Sequence, residues 1–141
     1  MLDTCTRIIV PMDGTDASMR AATLAGQLGR ATGLPVDLIH VHAIHHGEAT
    51  GMASSSRESL DAAGRDAGSR AFGDFADEVG SDHCHVLWGE AADEILYYAE
   101  RNGPALIIMG RGREATLSRL VMGSVSDAVL RRAEGPVTVV S

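Results

Sequence analysis

The sequence predicts an α/β fold in which an open, five-stranded parallel sheet carries helices on both faces. Short, near-continuous aliphatic runs such as Ile8-Ile9-Val10 and Leu106-Ile107-Ile108-Met109 read as strands buried on both sides, the mark of parallel sheets. Between them lie stretches with helical spacing, so strand and helix alternate along the chain. Glycine and proline punctuate the helix ends at Gly33 to Pro35, Asn102-Gly103-Pro104 and Gly135-Pro136. No internal repeat or composition shift divides the 141 residues, and residues 1–141 read as a single domain.

Arg7 to Pro11 forms the first strand in this reading. Ala17 to Ala31 follows as a helix, with Met19, Ala22, Leu24, Ala25 and Leu28 at helical spacing. Val36 to Ala43 is the second strand. From Ile44 to about Ser56 the sequence is mostly His, Gly, Ser and Thr without period, which predicts a mobile loop. A long helix then spans roughly Arg57 to Val79, although Gly64, Gly68 and Gly73 oppose it by propensity. His85 to Trp88 is the third strand and Ala91 to Arg101 the third helix. Leu106 to Met109 is the fourth strand, Gly123 to Glu134 the fourth helix, and Val137 to Val140 the fifth strand.

The net charge of −7 argues against nucleic acid as a partner, because phosphate-backbone binding needs a basic footprint. All twelve basic residues are arginine. Without lysine the chain lacks the phosphate-binding lysine of P-loop enzymes and kinases, and Schiff-base chemistry as well. Asp3 stands where a signal peptide would be basic, and no apolar run is long enough to span a membrane. Cys5 and Cys84 do not suggest a disulfide framework. The expectation is a cytoplasmic protein.

In open sheets of this kind the ligand crevice lies beyond the carboxyl ends of the strands, where strand order reverses. That places Pro11-Met12-Asp13-Gly14 beside Gly110-Arg111-Gly112-Arg113. Gly123-Ser124 opens a helix nearby. Glycine lets backbone approach an anion closely, and the first N–H groups of a helix are donors at its positive end. A nucleotide phosphate chain fits that arrangement.

These residues resemble the universal stress protein family. Val10-Pro11-Met12-Asp13-Gly14-Thr15 is similar to its first strand and turn, and His40-Val41 to the end of its second strand. Trp88-Gly89-Glu90-Ala91 is similar to its turn before the third helix. Most specific are Met109-Gly110, the run Leu120-Val121-Met122-Gly123-Ser124-Val125-Ser126, and Pro136-Val137-Thr138-Val139-Val140. The resemblance covers essentially the whole chain and implies a Rossmann-like fold of the adenine-nucleotide alpha-hydrolase type. It also implies that ATP or AMP is bound, with or without Mg²⁺. Pro11, Asp13 and Val41 would border adenine and ribose, with Met109 and Gly110 beneath them. Gly112, Gly123, Ser124, Val125 and Ser126 would surround the phosphates.

ATP-binding members of that family carry Gly-x2-Gly-x9-Gly-Ser/Thr. Counted from Gly110, the second glycine falls on Arg113, and Gly112 lies one residue early; Gly123 and Ser124 fall in place. A residue with a Cβ in a left-handed conformation costs about 1–2 kcal/mol. The loop is therefore expected to shift so that Gly112 takes that conformation, leaving Arg113 or Arg111 to supply positive charge.

Asp13 has two readings: a contact to the sugar or to a phosphate-bound divalent ion, or a turn residue bonding the following backbone. The six histidines predict no metal site, because His40 and His42 on one strand face have no carboxylate or cysteine at ligand spacing. Ser54, Ser55 and Ser56 lack the flanking glycines of a nucleophile elbow, and Asp93 and Glu94 suit the start of a helix. No catalytic residue is predicted.

Val137 to Val140 reads as an edge strand, and the resemblance implies a homodimer paired through it. The leading reading is a small regulatory, stress-response protein that holds an adenine nucleotide without rapid turnover and reports to a protein partner. The alternative is a dimeric adaptor of the same fold with a decayed nucleotide site. An ATP-pyrophosphatase is disfavoured, since Asp13-Gly14-Thr15-Asp16-Ala17-Ser18 lacks paired glycines.

Overall fold

A computed structural model describes residues 2–43, 54–112 and 123–141, with residues 54–56 described by their backbone alone. Its elements are β1 (Arg7–Pro11), α1 (Asp16–Thr32), β2 (Val36–Ala43), α2 (Ser54–Phe72) and α3 (Phe75–Val79). They continue with β3 (Cys84–Gly89), α4 (Ala91–Asn102), β4 (Ala105–Gly110), α5 (Ser124–Arg132) and β5 (Val137–Val140). Single 3₁₀ turns cover Leu2–Thr4 and Ser81–His83.

The five strands form one parallel sheet in the order β3-β2-β1-β4-β5. Strand alternation divides the apolar side chains between two cores. Ile8, Val10, Leu38 and Ile108 face α1, α2 and α3, whereas Ile9, Ile39, Ile107 and Met109 face α4 and α5. Among the described residues no helix is long and apolar enough to cross a membrane.

The helix expected over Arg57 to Val79 is instead two helices. Gly73, at φ +55°, breaks the chain between α2 and α3. At its other end α2 begins at Ser54, inside the stretch read as loop; residues 44–53 of that stretch lie outside the described residues. The glycines that argued against α2 are explained by packing. A Cβ on Gly64 would lie 2.6 Å from Trp88 Nε1, and one on Gly68 would lie 2.5 Å from Val86 Cγ2. Glycine on this face brings α2 close against β3.

Smaller corrections fall at element ends. α5 runs Ser124–Arg132 rather than Gly123 to Glu134, because Gly123 is its extended N-cap and Ala133 is extended at its C-cap. β3 and β4 each gain one residue at both ends, since the ladder continues beyond the aliphatic run, pairing Cys84 with Leu38 and Gly89 with Ala43.

Candidate functional site

Strand order reverses at β1, whose two neighbours β2 and β4 lead away in opposite directions. The loops that follow β1 and β4 therefore diverge to opposite faces of the sheet and leave a crevice at its carboxyl edge. A cleft of about 370 Å³ lies there, within the size range of small-molecule sites. Its floor and walls include Ile39, Val41, Ile95 and Met109, while Asp13 is the one formally charged residue among the described lining.

The sequence-predicted residues Pro11, Asp13, Val41, Met109, Gly110, Gly112, Gly123, Ser124, Val125 and Ser126 all line this cleft. Arg113 lies outside the described residues, as does Leu120-Val121-Met122. Met12, Ser18, Ile39, His40, Ala91 and Ile95 also line the cleft and were not singled out from sequence. Strand periodicity marks Ile39 as sharing a face with Val41, a signal that would have found it.

β1 ends in a turn built by Asp13. Its Oδ1 accepts the Thr15 N–H at 2.9 Å and the Thr15 hydroxyl. Thr15 Oγ1 in turn accepts the Ser18 N–H at 3.2 Å, which caps α1. Gly14 at φ +81° makes the bend. The turn role of Asp13 is thus realised at the cleft wall. Alongside it, His40 Nδ1 lies 2.7 Å from the Met12 carbonyl, so that nitrogen carries the proton and ties the end of β2 to the β1 turn.

The glycines after β4 have different reasons to be glycine. A Cβ on Gly110 would lie 2.7 Å from the Ala17 carbonyl carbon and the Ser18 nitrogen, so this position serves the passage of α1 over β4. Gly112 has φ +102°, and the left-handed position is glycine, as the one-residue shift requires. A Cβ on Gly123 would meet the Arg111 carbonyl oxygen at 2.8 Å and Gly112 Cα at 3.1 Å. The two ends of the excursion from Gly112 to Gly123 are therefore in backbone contact.

The α5 N-terminus stands over this contact. Gly123 has no side chain to cap it, and the first backbone bond of the helix is from Asp127 N–H to the Gly123 carbonyl at 3.0 Å. The N–H groups of Ser124, Val125 and Ser126 thus have no acceptor within the helix and stand at its positive end. Asp127, the acidic residue of this first turn, is turned to Arg131 at 2.9 Å.

A second polar cluster sits at the opposite, N-terminal end of the strands. The Asp37 carboxylate, 1% exposed, accepts hydrogen bonds from Arg7, from Tyr98 Oη at 3.0 Å and from His83 Nδ1 at 2.8 Å. Burial pushes its pKa up, but the bonds from His83, Arg7 and Tyr98 prevail and hold it below the usual carboxylate value. Burial, with the Asp37 bond added, pushes the Tyr98 phenol up to about 12. Among the described residues no group of three or more His, Cys, Asp and Glu side chains converges as metal ligands.

The family model described as "Universal stress protein family" matches residues 4–141. The chain belongs to the universal stress protein family. A universal stress protein of Methanocaldococcus jannaschii is 32% identical over 139 residues, covering 95% of this chain and 81% of that relative. Among solved structures, universal stress protein UspA from Lactobacillus plantarum superimposes with a TM-score of 0.73 at 23% identity, covering 96% of this chain and 97% of that one. The universal stress protein from Archaeoglobus fulgidus in complex with dAMP does so with a TM-score of 0.58 at 22% identity, covering 96% and 98%. At those identities the structural likeness shows the shared universal stress protein fold.

Proposed function

We propose that this universal stress protein binds an adenine nucleotide, ATP or AMP, in the cleft between the ends of β1 and β4. The observation that carries the reading is the pairing of an apolar slot with a glycine-bordered helix N-terminus. Ile39, Val41, Ile95 and Met109 offer the slot to a base, and the first-turn N–H groups of α5 offer donors to phosphate. Pro11 and Asp13 border the ribose, and Gly112 with Gly123 to Ser126 surround the phosphates. The structure of a universal stress protein from Archaeoglobus fulgidus in complex with dAMP supports the same ligand class. Mg²⁺ would join through phosphate oxygens on the Asp13 side.

Turnover is slow in this reading. Among the described lining residues Asp13 serves the turn through Thr15, and His40 is fixed through Nδ1 to Met12, so the imidazole keeps Nε2 as a base. Slow turnover rests on the lack of a lysine to engage the phosphates. The protein acts as a regulator whose nucleotide state is read by a partner, and it pairs with a second copy through β5. Gly112 in the left-handed conformation favours a retained loop over a decayed site, because a glycine still supplies the positive φ beside Gly123.

Calorimetric titration with ATP and AMP tests this. Saturable binding is the expected result, and Gly123→Val should weaken it at least tenfold, about 1.4 kcal/mol. The branched side chain would drive the Arg111 carbonyl and Gly112 apart, and both obstacles are backbone. Equal ATP affinity in the folded variant, checked by circular dichroism, would remove this loop from the site.

A further inference from the structure

Among the described residues, the side chain of Ser126 joins the end of β4 to the start of α5. Ser126 is 1% exposed, and its hydroxyl lies 2.8 Å from the Arg111 carbonyl oxygen and 3.1 Å from the Gly123 carbonyl oxygen. A hydroxyl has one proton, so these are alternative acceptors or a shared bond, and the shorter contact crosses the loop. The same Arg111 carbonyl accepts the Gly123 N–H at 2.6 Å, and the Arg111 N–H donates to the Val140 carbonyl at 3.0 Å. Arg111 is thus held by β5 on one side and by the first turn of α5 on the other.

We infer that Ser126 is a positioning residue for phosphate recognition: its hydroxyl fixes the Arg111 carbonyl against α5, and so sets Gly112 and the α5 first turn at the spacing a phosphate requires. The inference rests on the nucleotide-binding reading and deepens it. Ser126 reaches the ligand through Arg111, because its proton is committed to backbone and its side chain is buried. The Gly123 N–H is likewise spent on Arg111, which leaves the amides from Ser124 to Ser126 to face the anion. Backbone donors depend on where the helix end sits. With the Ser126 bond gone the Arg111 carbonyl keeps only the Gly123 N–H, and that single bond holds the helix end less firmly against the rest of the cradle.

Ser126→Ala and Ser126→Thr test this with three readouts: affinity for ATP, affinity for adenosine, and hydrogen exchange of the Gly123 amide in nucleotide-free protein by NMR. The alanine variant should lose about fivefold to tenfold in ATP affinity, the scale of one hydrogen bond. Adenosine, which carries no phosphate, should bind both proteins equally. The Gly123 amide of the alanine variant should exchange several-fold faster before any ligand is added, and threonine should restore both exchange and ATP affinity.

Equal losses for ATP and adenosine would reduce Ser126 to a general stabilising role and overturn the inference. Lost ATP affinity with an unchanged Gly123 amide would make the hydroxyl a direct phosphate ligand, which also overturns it. Unchanged ATP affinity in the alanine variant would sink the inference alone, whereas no ATP binding by the wild-type protein would sink the nucleotide-binding reading and this one with it. If Ser126→Ala fails to fold, the threonine variant decides: it must keep the slow Gly123 exchange and the wild-type preference for ATP over adenosine.

Discussion

Single residues carry more structural duty in this chain than their types announce. Asp37 lies in the apolar run of β2 between Val36 and Leu38, yet it anchors Arg7, His83 and Tyr98 from three other segments. Its depressed pKa fixes the sign of its pH dependence. The native state holds the proton less tightly than the unfolded chain, so the contribution is complete above the unfolded value, about 3.9, and is lost as pH falls through the lower folded value. Chemical denaturation from pH 6 down to pH 2.5 should show the wild type losing stability below about pH 4 more steeply than Asp37→Asn. At pH 7 the variant should be less stable by about 2–3 kcal/mol, somewhat under the usual cost of breaking a buried pair, because Arg7 retains 31% exposure and can rehydrate. Parallel pH profiles for the two proteins would show that Asp37 does not couple to folding.

At the scale of elements, glycine is decided by what faces it. α1 and α2 both carry helical glycines, and the same substitution should act on them with opposite sign. A Cβ on Gly26 of α1 meets only Arg30 Nη1, at an ordinary 3.5 Å. Gly26→Ala should therefore stabilise by about 0.5–1 kcal/mol through helix propensity. On Gly64 of α2 the added carbon lands 2.6 Å from the Trp88 indole nitrogen. Overpacking costs about 1–3 kcal/mol, which exceeds the propensity gain, so Gly64→Ala should destabilise. Urea titrations followed by fluorescence of Trp88, the single tryptophan, measure both. A stabilising Gly64→Ala would mean that α2 does not press against β3 as described. The glycines that weakened the helix expectation thus permit the helix to dock, and only the break at Gly73 divides it.

At the scale of the whole molecule, the sheet ends in β5, which bonds β4 on one side only. The Pro136 and Val140 carbonyls face β4, so by alternation Val137 and Val139 present their backbone groups to the open edge. A second copy pairing there would cover that edge, as the proposed homodimer requires. Val139→Pro removes an outward N–H without touching the β4 ladder. Light scattering should give twice 14.8 kDa for the wild type and 14.8 kDa for the variant, with circular dichroism showing the variant folded. A monomeric wild type at high micromolar concentration would exclude the dimer.

The sequence by itself determined the family, the five parallel strands and the alternation of helices, because aliphatic runs, helical spacing and Gly-Pro stops are local signals that tertiary packing does not overrule. It also singled out the two loops at the carboxyl edge, since a strand-turn-helix start is written in consecutive residues. Tertiary structure alone decided the rest. Only packing shows that Gly110 is glycine because the α1 backbone passes over it, and that a Cβ on Gly64 or Gly68 would strike β3. Asp37 and Ser126 gave no sequence signal for their duties. Their partners come from distant segments, Tyr98 and Arg7 for one and the Arg111 carbonyl for the other, and such bonds exist only once the chain has folded.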